Sequence, residues 1–108
     1  MLAPNFFIVG APKCGTTALS EYLREHPAVF LSRPKEPNYF AEDLPGIRYA
    51  TTLREYQGLF QNRKPRHKAV GEASVWYLYS SVALQRIHSY NKDARIIVML
   101  RNPVDMIR

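Results

Sequence analysis

The sequence predicts an α/β fold with a parallel sheet, and three observations carry that expectation. Two segments, residues 5–9 and 95–100, hold continuous apolar runs (Phe6-Phe7-Ile8-Val9 and Ile96-Ile97-Val98-Met99-Leu100), the pattern of strands buried on both faces. Between them apolar residues recur at helical spacing, so strands and helices alternate along the chain. The first run closes on Gly10 and passes through a second glycine, Gly15, directly into a helical segment.

The elements follow in order. After the strand ending at Gly10, Thr16 or Thr17 is expected to cap a helix, with Glu21 near its positive end. Leu19, Tyr22 and Leu23 share a face of that helix, and His26-Pro27 ends it. Ala28 to Leu31 predicts a short second strand, and residues 33–46, with Pro34, Pro37, Pro45 and Gly46, are mostly loop. Thr52-Leu53-Arg54-Glu55 is a capping box opening a short helix that carries Leu53, Tyr56, Leu59 and Phe60. Lys68 to Ala73 predicts a strand, and Ser80 or Ser81 starts a helix reaching Tyr90 with Leu84, Ile87 and His88 on one stripe. After the strand at 95–100, Pro103 suits the first turn of a last helix.

No repeat or Gly/Ser linker divides the chain, so residues 1–108 are expected to form part of one domain. Three or so strands and three or four helices do not cover a parallel sheet on both faces. The expectation is a truncated sheet, the N-terminal part of a larger domain.

Composition narrows the function classes. The apolar runs are too short to span a bilayer, and the first residues lack a secretory signal, so a cytoplasmic location is expected, with an upstream anchor left open. A single cysteine, Cys14, and three scattered histidines, His26, His67 and His88, predict neither an internal disulfide nor a metal site. Lys and Arg number 15 against 9 Asp and Glu, a net charge of +6, which favours an anionic partner: a phosphorylated cofactor, nucleic acid or an acidic polymer. The densest basic run, Arg63 to Lys68, has no aromatic interleaving and reads as a solvated loop, so a nucleic-acid partner is not expected.

The segment Gly10-Ala11-Pro12-Lys13-Cys14-Gly15-Thr16-Thr17 carries the chemistry. Backbone N–H groups of such a turn converge on an anion, the helix dipole assists, and Lys13 with the Thr16 and Thr17 hydroxyls adds charge and short donors. The plain alternative is a strand-to-helix turn with no ligand. The segment is not a Walker A loop: Gly15 is followed by Thr16-Thr17, the lysine lies earlier, and the strand at 95–100 leads into Arg101 in place of an acid that would hold magnesium. Arg101, at the C-terminal end of a parallel strand, suits an anion in the crevice of an α/β sheet; its alternative is a surface salt bridge to Asp105 or Glu72.

Pro12-Lys13-Cys14-Gly15-Thr16-Thr17 after a strand resembles the 5′-phosphosulfate loop of the sulfotransferases, which use 3′-phosphoadenosine 5′-phosphosulfate (PAPS). Leu100-Arg101-Asn102-Pro103-Val104-Asp105 is similar to the family's 3′-phosphate strand-turn-helix. The resemblance implies a P-loop NTPase-like three-layer fold of which this chain is about the first half. It also implies PAPS as donor without a metal, and an acceptor that is a small molecule or a glycan. Lys13, Cys14, Gly15, Thr16 and Thr17 would then bind the 5′-phosphosulfate, with Lys13 stabilising the leaving group, and Arg101 would bind the 3′-phosphate.

Arg33-Pro34-Lys35-Glu36-Pro37-Asn38-Tyr39-Phe40 resembles the Lys-Glu-Pro-His-Phe-Phe segment of glycan-type sulfotransferases, with Asn38 in place of a frequent histidine. The resemblance makes Glu36 the base that deprotonates the acceptor; the alternative is a loop carboxylate paired with Lys35 or Arg33. Gly71-Glu72-Ala73-Ser74-Val75-Trp76-Tyr77 resembles a segment lining the acceptor cleft, with Ala73 and Val75 where the family has lysine and proline. Trp76 and Tyr77 suit a sugar platform or, equally, the core. Cys14 is not expected to act as a nucleophile, and none of the histidines fits the catalytic histidine of the small-molecule branch. The rival expectations are a small-molecule kinase with a degenerate loop, a basic nucleic-acid-binding module, and a fragment with the fold but no activity.

Overall fold

The computed structural model describes residues 4–11, 15–32 and 36–99. Lys13, Cys14 and Arg101, and the helix expected at Pro103, lie outside the described residues. The elements are β1 (Phe6–Gly10), α1 (Thr16–Arg24), β2 (Val29–Leu31), α2 (Leu53–Gly58), β3 (Ala69–Ala73), α3 (Ala83–Tyr90) and β4 (Arg95–Val98), with 3-10 turns at Pro45–Ile47 and Val75–Tyr79. They build a four-stranded, all-parallel sheet in the order β2-β3-β1-β4. This is the α/β, P-loop NTPase-like architecture the sequence implied.

β1 lies inside the sheet because its five residues are all buried. Alternation along the strand sends Phe7 and Val9 to one face and Phe6 and Ile8 to the other. Phe7 and Val9 meet an aromatic core of Phe40, Tyr56, Phe60 and Tyr77, closed by Ile87 of α3. Tyr39 stacks on Tyr56 at 4.7 Å, and Phe40 meets Tyr56 edge-on at 5.2 Å. Phe6 and Ile8 pack with Leu31 and Ala73 under Leu19 and Leu23 of α1.

Several local expectations change in the structure. The Thr52–Glu55 capping box is present, with both reciprocal hydrogen bonds, but Leu53 faces solvent while Tyr56 and Phe60 are buried. In α3 the buried residues are Ala83 and Ile87, and Leu84 and His88 are exposed. Ser80 and Ser81 stay outside the helix, which begins at Ala83. Ser80 Oγ accepts from the Val82 and Ala83 amides, and the Asp43 carboxylate takes the Ser80 hydroxyl and the Ser81 N–H. Residues 63–68 form a mostly exposed loop, in which the Lys64 N–H donates to His67 Nδ1 (2.8 Å) and Arg66 Nε donates to the Pro27 carbonyl (3.2 Å). Among the described residues no helix is long and apolar enough to cross a membrane.

Candidate functional site

The chain runs from β1 to the β2 edge, returns as β3 beside β1, then crosses to β4 on β1's other side. The C-terminal end of β1 is therefore where the direction of winding reverses, the place where open α/β sheets bind ligands. Three loops start there. The Ala11 N–H donates to the Met99 carbonyl (2.9 Å) and the Met99 N–H donates to the Gly10 carbonyl (2.7 Å), tying the exits of β1 and β4 together. Gly15 returns to the same spot, since a side-chain carbon built on it would lie 3.8 Å from the Met99 methyl group. Ala11, Gly15 and Met99, the described residues that bracket Lys13 and precede Arg101, are thus neighbours.

Gly15 is the N-cap of α1, with φ of 85° in the left-handed region that suits glycine. Neither threonine caps the helix: the expected Thr16 or Thr17 cap is replaced by Gly15, and no side chain bonds to the cap position. Glu21 falls beyond the first turn, which holds no acid. The leading N–H groups of α1 consequently keep their positive field without an internal counter-charge. Thr16 is buried and its carbonyl accepts from Ser20 Oγ (2.8 Å), whereas Gly15 and Thr17 are exposed.

Glu36 stands at the end of β3. Its N–H donates to the Ala73 carbonyl (2.9 Å), and its Oε1 accepts from the Val75 N–H (3.2 Å). Val75 also reaches Gly10, where an added side-chain carbon would stand 3.0 Å from the Val75 carbonyl oxygen. One residue therefore links the Glu36 carboxylate to the root of the glycine loop. Glu36 and Asn38 both have positive φ, 66° and 53°. Asn38 Nδ2 pins the turn by donating to the carbonyls of Glu36 (3.1 Å) and Ile47 (3.0 Å).

The sequence reading missed Glu72 as a site residue. The sequence places it within a cleft-lining segment and as a surface partner for Arg101, yet it is fully buried on β3. Its carboxylate accepts hydroxyl hydrogen bonds from Ser74 (2.5 Å), Tyr77 (3.0 Å) and Tyr56. Burial pushes the carboxyl up to about 7, against the pull of those three hydroxyls. Burial and the Glu72 charge raise Tyr56 and Tyr77 well above the usual phenol range. The signal was present in Ala69-Val70-Gly71-Glu72-Ala73: a carboxylate inside an apolar strand needs donors, and Ser74 and Tyr77 follow it at once. Tyr77 is core, as one of its two readings held, but Trp76 is 41% exposed and packs against Tyr79 at 5.6 Å.

Comparison with known proteins gives this geometry a family. The sulfotransferase domain model matches residues 3–108. A crystal structure of a sulfotransferase from Alicyclobacillus acidocaldarius superposes with a TM-score of 0.87 at 38% identity, covering 97% of this chain and 47% of that one. Membrane-associated sulfotransferase kil1 of Dictyostelium discoideum is 35% identical over 104 residues, which is 94% of this chain and 21% of that protein. Heparan sulfate glucosamine 3-O-sulfotransferase 6 of Mus musculus is 37% identical over 101 residues, 94% of this chain and 28% of that protein. The chain spans less than half the length of each of these relatives. With the glycine loop at the end of β1, the parallel sheet and a family match that runs from residue 3 to the last residue, the chain belongs to the sulfotransferase family.

Proposed function

We propose that the chain is the N-terminal part of a sulfotransferase domain that moves a sulfuryl group from PAPS to a hydroxyl or amine of a glycan acceptor. The observation that carries this reading is the double contact of Val75, whose N–H holds the Glu36 carboxylate and whose carbonyl abuts Gly10. It sets a carboxylate beside the loop that would bind the donor's phosphosulfate. Gly15, Thr16 and Thr17 would face that group at the start of α1, which has no side-chain cap bond and no acid in its first turn. Lys13 and Arg101 would neutralise the 5′- and 3′-phosphates.

In the reaction the acceptor oxygen or nitrogen forms a bond to sulfur, and the bond from sulfur to the 5′-phosphate oxygen breaks. Glu36 takes the acceptor proton, and Lys13 with the loop amides stabilises the charge left on adenosine 3′,5′-bisphosphate. This chemistry asks for positioning and charge stabilisation, and no metal enters it. A carbohydrate acceptor agrees with relatives named for carbohydrate and heparan sulfate.

The test is calorimetry of the whole protein with adenosine 3′,5′-bisphosphate, paired with turnover on desulfated heparan and chondroitin chains. Lys13→Ala and Arg101→Ala should each weaken nucleotide binding about tenfold or more, the scale of a lost charge-assisted contact. Glu36→Gln should leave binding within about twofold and lower turnover by roughly 100-fold or more, as loss of a general base does. A folded whole protein that does not bind the nucleotide rejects the proposal.

A further inference from the structure

Glu72 is buried without a cation: among the described residues its partners are three hydroxyls. An acid so placed costs stability relative to an apolar side chain of similar size, so its packing does not explain it. What it touches suggests a different task. The turn that carries Glu36 has two non-glycine residues at positive φ, a conformation that persists only when surrounding bonds over-determine it. Three amides of that turn are anchored to β3 and the segment after it. The Glu36 N–H goes to Ala73, the Asn38 N–H to Ser74 Oγ (3.1 Å), and the Phe40 N–H to Tyr77 Oη (3.4 Å).

Two of those three anchors end on Glu72. Ser74 Oγ accepts from Asn38 and donates to Glu72 Oε1, while Tyr77 Oη accepts from Phe40 and donates to Glu72 Oε2. The carboxylate orients both hydroxyls, so that each turns a lone pair toward the loop. Tyr56, from α2, fastens the same Oε2 to the opposite element. Removing the acid frees both hydroxyls to rotate and leaves the loop amides facing unoriented partners.

We infer that Glu72 is a positioning residue for Glu36, holding the 36–40 turn in its strained shape through Ser74 and Tyr77. This rests on the reading of Glu36 as the base. In the whole protein, Glu72→Gln and Ser74→Ala should each lower kcat at least tenfold, with KM for PAPS and the Kd of adenosine 3′,5′-bisphosphate within twofold of wild type. Ser74→Ala leaves the carboxylate bonded to both tyrosines and so tests the relay where Glu72→Gln folds poorly. In a Glu36→Gln background, adding Glu72→Gln should cost less than a further twofold in kcat, because residues acting through one group are not additive. Hydrogen exchange of the Asn38 and Phe40 amides should rise at least tenfold in Glu72→Gln. Unchanged exchange there, unchanged kcat in the two single variants, or a full multiplicative loss in the Glu36→Gln background each overturns the inference while leaving Glu36 as the base. A silent Glu36→Gln instead sinks the base reading and takes this inference with it.

Discussion

A carboxyl pushed up to about 7 inside a folded domain makes stability depend on pH, and the direction follows from counting protons. The ordinary glutamate value is 4.5, so between there and about 7 the folded chain keeps a proton on Glu72 that the unfolded chain has released. Stability from this group is therefore complete below about 4.5 and is lost as pH rises through about 7. The loss amounts to something on the order of 3 kcal/mol. His67 is held below its usual value by partial desolvation and by Arg66, Lys64 and Arg63, and works in the opposite direction near neutrality. Asp43 and Glu55, lowered by hydrogen bonds from Ser80 and Thr51, act only in acid, where their contributions fade as pH falls. Comparing urea midpoints at pH 5 and pH 8 in wild type and Glu72→Gln isolates the buried acid. The wild type should weaken at pH 8, and the substitution should remove at least half of that difference; an equal slope in both proteins would show that Glu72 does not titrate in this range.

At the scale of single elements, the tightest fit is between β3 and β1. Gly71 pairs in register with Phe6, and a side-chain carbon built on it would lie 2.5 Å from both the Phe6 carbonyl oxygen and its ring. Neither backbone in the middle of a paired sheet can move aside at small cost. Gly71→Ala should destabilise the domain by about 1–3 kcal/mol, the usual penalty for overpacking, read from denaturant midpoints at constant m-value. The sequence announces elements like β1 because five consecutive buried residues leave a run no other structure explains, and the Thr52–Glu55 box because its hydrogen bonds are local. It announces less where long-range contacts decide. The start of α3 is set by Asp43 holding Ser80 and Ser81 from 37 and 38 residues away, so the serines cap from outside the helix. Glu36 was legible only by resemblance, since its contact with Val75 spans 39 residues and its left-handed backbone has no glycine to advertise it. The Glu72 cluster joins α2, β3 and the turn after it, and no spacing rule connects Tyr56 to a carboxylate on a strand.

Across the whole molecule the sheet is protected unevenly. β1 is flanked by β3 and β4 and buried throughout, whereas β4 has a partner on one side only among the described residues, with Ile96 and Val98 each 43% exposed. On the α1 face a cavity of about 490 Å³ runs across the strands between Phe6, Leu23, Val29, Ala69 and Ile97, with Asn5, Asp93 and Arg95 also lining it. The solved relative is about twice as long as the part matched here, since the match covers 47% of it. On the proposal that this chain is the first part of such a domain, a further strand would cover the β4 edge, and further chain packed on the α1 face would cover the cavity. Hydrogen exchange can read this directly. In the 108-residue chain alone the amides of Phe7, Ile8 and Val9 should exchange slowest and those of β4 at least about 100-fold faster, because opening an edge strand breaks fewer bonds than opening a central one. In the whole protein the β4 amides should approach the protection of β1. If β4 exchanges equally fast in both, the edge is not covered, and the site at the ends of β1 and β4 has to be completed by some other surface.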